Sequence, residues 1–86
     1  MANEFLVKEF GRRIRELREK EKLSQEQLAF KSGFHRTYIG MIERGERNIS
    51  LTNMAVFAKV FDLPLHQLLE FENWDEVFRQ YQLKQS

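Results

Sequence analysis

No cysteine occurs in the 86 residues, so a disulfide framework and a thiolate metal site are both excluded, and a reducing cytoplasm is the expected setting. Histidine is nearly as scarce. His35 and His66 stand in no metal-ligand spacing such as HExxH, and each reads as polar surface. Gly11, Gly33, Gly40 and Gly45 are scattered rather than gathered into a phosphate-binding loop, and the single proline, Pro64, marks one break in the chain. No apolar stretch approaches the length of a membrane span, and the opening MANEFLVKEFGRR lacks the basic start, apolar run and small-residue cleavage site of a signal peptide. Internal repeats, low-complexity runs and linkers are missing as well. These absences argue against an enzyme, a metal or cofactor carrier and a membrane protein; a cytoplasmic binding domain is the expectation.

A large charge of one sign is also lacking, since fourteen Lys and Arg stand against thirteen Asp and Glu, for a net charge of +1. The distribution says more than the total. Residues 1–48 carry eleven basic and eight acidic side chains, whereas 49–86 carry three and five, which favours an anionic partner for the N-terminal half. A solvated, charge-mixed helix face would give similar counts.

What the sequence has is helical periodicity. From about Asn3 to Glu21, Leu6 or Val7, Phe10, Ile14 and Leu17 recur at spacings of three and four, so this segment is an amphipathic helix with Glu9–Arg13 or Glu16–Lys20 as favourable i,i+4 pairs. Arg12, Arg13 and Arg15 point in different directions around it and read as solvated surface rather than a nucleic-acid stripe. The stretch 25–44, QEQLAFKSGFHRTYIGMIER, is the most organised part of the chain. Ser24 followed by Gln27 is a capping box that opens a helix bearing Leu28 and Ala29 on one face. Gly33 allows a left-handed stop and a sharp turn, Phe34 follows as a wedge, and Ile39 and Ile42 form the inner face of a second helix. Arg36, Thr37, Gly40, Met41 and Arg44 fall mainly on its other side. Gly40 serves either close approach to a ligand or tight packing.

Residues Glu46 to Ile49 read as a loop. Ser50 then opens a core helix with Leu51, Met54, Ala55, Phe57, Ala58 and Phe61, and Pro64 opens a short one with Leu65, Leu68, Leu69 and Phe71. Asn73 with Glu76 three residues on gives a second capping-box signal, ahead of Trp74, Val77, Phe78 and Tyr81 at i, i+3, i+4 and i+7. The apolar side chains of the last two helices serve either the core or a partner chain, and the polar tail 82–86 is expected to fray.

Ala29 and Gly33 four apart, Ile39 and Ile42 six and nine beyond Gly33, Arg15-Glu16-Leu17-Arg18 and Leu23-Ser24-Gln25 upstream, and Ile42-Glu43-Arg44-Gly45 downstream together resemble the phage-repressor-like helix-turn-helix family (Cro/C1-type, XRE) over roughly residues 8–70. Two positions depart from its pattern: Ser32 stands at a usually apolar place, and His35 stands where the family more often has Ser, Asp or Asn as N-cap. The resemblance implies an all-α, five-helix repressor-like DNA-binding domain over 1–71 with a helical extension over 72–86. It further implies a pairing of Arg18 with Glu43 and insertion of the second motif helix into the major groove, with Arg36 and Thr37 as base-contacting residues. Against base contact, an arginine at a helix start could simply be solvated or bind phosphate. Gln25, Tyr38, Met41, Arg44, Arg47 and Asn48 are the further contact candidates, Gln25 because it opens a helix whose free N–H groups favour phosphate.

The run Arg36-Thr37-Tyr38-Ile39 with Ile42-Glu43-Arg44-Gly45-Glu46-Arg47-Asn48 is most similar to the controller proteins of restriction–modification systems. The implied function is sequence-specific transcription regulation on double-stranded DNA with two-fold related half-sites, by a homodimer paired through Leu65, Leu68, Leu69, Phe71, Trp74 and Phe78. RNA polymerase is a further candidate partner. A phage-type repressor is the nearest alternative; an antitoxin-like module that holds another protein through Trp74, Phe78 and Tyr81 is the alternative of a different class.

Overall fold

The computed structural model describes residues 4–81, so Asn3 and the tail 82–86 lie outside the described residues. Six helices follow in order: α1 Glu4–Lys20, α2 Gln25–Ser32, α3 Arg36–Glu43, α4 Leu51–Val60, α5 Leu65–Leu68 and α6 Trp74–Arg79. No strand occurs among the described residues, and no helix among them is long and apolar enough to cross a membrane.

Helix α1 buries Phe10, Gly11 and Ile14 and packs chiefly on α3. Gly11 is what allows this approach. A Cβ there would overlap the Ile42 carbonyl oxygen and stand 2.8 Å from that of Glu43, so any side chain would push the two helices apart. The expected Glu9–Arg13 pairing is replaced: Arg12 bonds both Glu9 and Glu16 at 2.7 Å. Arg13 reaches across to donate to the backbone carbonyls of Gln67 (2.7 Å) and Leu68 (3.2 Å), so it supports the end of α5 rather than lying in solvent.

The capping box of α2 is formed in both directions, Gln27 N–H to Ser24 Oγ at 3.0 Å and Ser24 N–H to Gln27 Oε1 at 2.7 Å. Gly33 ends the helix at φ 80° with its N–H on the Ala29 carbonyl. Ser32 is explained by this turn, because its hydroxyl donates to Ala29 O and accepts from Phe34 N–H, both at 3.2 Å. His35 precedes α3 without a side-chain cap, as its poor capping chemistry leads one to expect. Phe34 wedges between Phe57 and Tyr38, with ring centroids 5.2 and 5.0 Å away.

Two helix ends use left-handed residues that are not glycine. At the end of α1, Lys22 has φ 58° while Leu23 N–H reaches back to Arg18 O at 3.0 Å; after α4, Asp62 has φ 57° while Leu63 N–H reaches Ala58 O at 2.9 Å. Each closes the paired backbone bonds of a Schellman ending at the expense of strain on a side chain with a Cβ.

The C-terminal half differs from expectation in four ways. Leu51 and Ala55 are exposed, so α4 is one-sided, with Phe57, Ala58 and Phe61 inward. Leu68 and Phe71 are buried in the chain's own core, which withdraws both from the expected pairing surface, while Leu65 and Leu69 are half-covered against it. Asn73 makes no side-chain cap, its backbone at φ −110°, ψ 37° lying outside the extended region of an N-cap, and Glu76 accepts from Gln80 at 3.3 Å. The apolar pattern of α6 is divided: Val77 is fully buried, Trp74 stacks on Phe71 at 4.8 Å, and Phe78 and Tyr81 face outward.

The tie between α1 and α3 is ionic. Arg18 Nε donates to Glu43 Oε2 at 2.6 Å and Nη2 to Oε1 at 3.0 Å, while Nη1 holds the Leu23 carbonyl at 2.8 Å. The two side chains are only 12% and 4% exposed, and the bond to Glu43 raises the Arg18 pKa further above its ordinary value, so the guanidinium stays charged throughout.

Two stability measurements follow from this packing. Gly11→Ala is expected to cost about 1–3 kcal/mol through overpacking, whereas Asp62→Gly should gain about 0.5 kcal/mol, relief of left-handed strain outweighing the entropy of the added glycine; urea midpoints read both. Removing either Arg18 or Glu43 should cost about 3–5 kcal/mol by stranding the other charge. A double-mutant cycle on unfolding that shows no coupling would remove the pair from this role.

Candidate nucleic-acid interface

Because Ile39 and Ile42 are buried and α3 is clamped at Glu43, the opposite side of α3 is presented as a fixed surface. Arg36 and Thr37 are exposed in its first turn. Arg36 makes no hydrogen bond, ion pair or ring contact among the described residues, whereas Arg12, Arg13, Arg15, Arg18, Arg44, Arg47 and Arg79 each make at least one. A cation left unpaired at the start of a held helix is available to an incoming acceptor.

Beside it, Tyr38 is half-buried with its hydroxyl accepting from Asn53 Nδ2 at 3.0 Å, so the first turn of α4 fixes the ring. Arg47 lies over that ring, its guanidinium carbon 5.5 Å from the centroid, a cation–π placement that brings the loop after α3 back toward the helix. Asn48 is exposed next to it, and Met41 is half-buried along α3.

Gln25 occupies the first turn of α2 and donates from Nε2 to Glu43 Oε1 at 3.1 Å. The Glu43 carboxylate therefore accepts from both Arg18 and Gln25 and joins the start of α2 to the end of α3. Sequence spacing carried no sign of this link, because eighteen positions separate the partners. Gly11 is also a positioning residue, and a glycine inside an otherwise periodic helix is the sequence signal of such close approach.

Past the end of α3, Arg44 donates from Nε to Glu46 Oε2 at 2.8 Å and from Nη2 to Oε1 at 3.2 Å. The hydrogen bond to Arg44 holds the Glu46 carboxyl below its ordinary range, so both partners are ionised at neutral pH. Gly40 is covered by these side chains: a Cβ there would stand 3.0 Å from Arg44 Nη1 and 3.8 Å from Gln25 Oε1, with no backbone in the way. The tight-packing explanation of Gly40 thus reduces to room for Arg44.

A helix-turn-helix family profile matches residues 14–68. The control protein C.BamHI of Bacillus amyloliquefaciens is 46% identical over 63 residues, 72% of this chain and 78% of that one. Among solved structures, the restriction–modification controller protein C.AhdI from Aeromonas hydrophila is 52% identical over 74% of this chain and 96% of its own, with a TM-score of 0.68. The controller protein C.Esp1396I, solved as a tetramer in complex with its natural 35 base-pair operator, is 26% identical over 88% of this chain and 93% of its own, with a TM-score of 0.69. An α3 clamped to α1 behind a glycine turn, with one arginine left unpaired at its start, therefore comes with relatives that share both sequence and fold: the chain belongs to the helix-turn-helix family, among the restriction–modification controller proteins.

Proposed function

We propose that this protein is a sequence-specific DNA-binding transcription regulator of a restriction–modification system, acting as a dimer on its own promoter region. The unpaired, exposed Arg36 at the start of the fixed helix α3 carries the reading. With Thr37 it contacts base edges in the major groove, as an arginine fork fits guanine O6 and N7 and a threonine methyl fits that of thymine. Arg47 and Asn48 on the loop and Tyr38 beside them hold the backbone. Gln25 keeps one amide N–H for a phosphate while the other stays on Glu43.

Pairing of two copies rests on α6. Phe78 is 79% exposed, Tyr81 49% and Trp74 41%, an apolar face rimming a shallow groove with Val77 at its floor. Leu69 lines a neighbouring cleft with Phe71 and Trp74. A two-fold pairing through this face repeats the α3 surface at a fixed spacing, which a palindromic site would match one helical turn apart, about 10 bp.

Affinity for the best duplex and its single-base variants, measured at several salt concentrations, tests the assignment of roles. Arg36→Ala should lose about 1–3 kcal/mol on the best site and relax preference at one base pair per half-site. Arg47→Ala should weaken all variants alike and flatten the salt dependence by about 0.9 in log–log slope. Equal loss across variants for Arg36→Ala would make it a phosphate clamp. For assembly, light scattering at tens of micromolar should find a dimer for the natural chain and a folded monomer for Phe78→Glu, because that side chain lies outside the core. A natural chain that stays monomeric would count against pairing, and binding of another protein through α6 without any DNA affinity would favour the antitoxin-like alternative.

A further inference from the structure

Arg36, Gly40 and Arg44 fall at i, i+4 and i+8 along α3 and its cap, so they form one stripe on the side that carries the unpaired arginine. Gly40 is a gap in that stripe, and Arg44 fills it. The guanidinium lies back along the helix with Nη1 beside the empty Cβ position of Gly40, which brings its charge from beyond the end of α3 to the middle of the contact face. Glu46 takes the side-on edge, Nε and Nη2, in a bidentate pair.

This leaves the end-on fork, the remaining N–H of Nη2 together with Nη1, without a partner on the Glu46 side. An arginine buttressed along one edge by a carboxylate presents its other fork in a fixed plane, the geometry that two neighbouring acceptors on a base edge require. An exposed pair of this kind adds little to folding stability, and orientation is where it can act. The anchor is itself held, since Glu46 N–H bonds Met41 O at 2.9 Å and Gly45 N–H bonds Ile42 O at 3.0 Å, so the backbone bearing the carboxylate is locked to the last turn of α3.

We infer that Arg44, laid over Gly40, is a second base-reading residue for a guanine edge, and that Glu46 is the positioning residue that fixes its fork. The inference rests on the DNA-binding reading above; it gives the contact candidate Arg44 a base-reading role and adds Glu46. Neutralising Glu46 then has two opposed effects. Removal of a negative charge near phosphates tightens binding to every duplex, while release of Arg44 lowers discrimination at the base pair beneath it.

The experiment is the ratio of affinities for the best duplex and for duplexes changed at each single base pair, for the full chain and for Glu46→Gln, Arg44→Ala and Gly40→Ala. At one base pair per half-site, distinct from that of Arg36, Glu46→Gln and Arg44→Ala should each reduce the ratio by about 5-fold or more. Combining the two should reduce it no further than Arg44→Ala alone, because Glu46 acts through Arg44. Gly40→Ala displaces the guanidinium without changing charge and should lower the ratio at the same base pair. If Glu46→Gln tightens all duplexes equally and leaves every ratio unchanged, Glu46 is only a repelling surface acid and the inference is overturned. Equal weakening of all duplexes by Arg44→Ala makes it a phosphate contact and overturns it too. Should the natural chain bind no duplex at all, the DNA-binding reading fails and takes this inference with it, an outcome distinct from binding with unchanged ratios.

Discussion

Glu43 places a carboxylate where only 4% of its side chain meets solvent, and polar oxygens so covered are costly unless they are bonded. Arg18 and Gln25 supply the bonds, and they come from two other helices. The consequence is geometric. The end of α3 is joined to the last turn of α1 and to the start of α2 by directional contacts, while Gly11 lets α1 and α3 meet backbone to backbone. A hydrophobic contact alone would allow α3 to roll over its neighbours, since burial is non-directional. The buried ion pair adds orientation to what Ile39 and Ile42 add in cohesion.

A chain of 86 residues cannot cover all its apolar surface, and the distribution of what remains outside is uneven. Around α5 the core takes Leu68 and Phe71, with Arg13 holding the last carbonyls of that short helix. Helix α6 then gives Val77 to the core and keeps Phe78 and Tyr81 outside, with Trp74 half-committed through its stack on Phe71 and its indole N–H on the Leu69 carbonyl at 2.7 Å. One amphipathic repeat thus serves two surfaces. Phe30 and Leu51, at 90% and 65% exposure, are solitary by comparison and belong to different helices.

Much of the architecture was legible in the sequence because its signals are local. Ser24 with Gln27 forms a capping box within four residues, Gly33 stops a helix wherever φ must be positive, and three- and four-residue spacing marks Phe10, Ile14, Ile39 and Ile42 as inward. Local signals also misled. Asn73 with Glu76 has the same spelling as a cap, yet Glu76 is drawn to Gln80 and Arg79, and no box forms. Lys22 and Asp62 end their helices in the left-handed region without a glycine to announce it, the tertiary packing imposing a conformation that their propensity opposes. The partners of Arg13 and Gln25 lie 54 and 18 residues away, beyond any local spacing, so only the folded chain reveals them. The division of the last apolar residues between core and surface was invisible for a related reason: Leu68, Phe71, Val77 and Phe78 are all hydrophobic, and only the packing of the folded chain sorts Phe78 from the other three.

The near-neutral charge and the proposed function are compatible because of where the cations stand. Arg12 and Arg15 are matched by Glu9, Glu16 and Glu19 along α1, Arg18 by Glu43 and Arg79 by Glu76, so these cations contribute little to a long-range field. A strongly basic domain can hold DNA loosely in many orientations, since attraction to phosphates tolerates misalignment. A domain with a net charge of only +1 depends instead on short-range bonds, whose strength falls steeply when the angle or distance is wrong. Such a protein gains more from a rigid α3 than a basic one would. The cost of burying Arg18 and Glu43 is understandable on these terms: weak attraction at a distance makes exact presentation at contact the main source of selectivity, and the desolvated carboxylate is what holds that presentation in place.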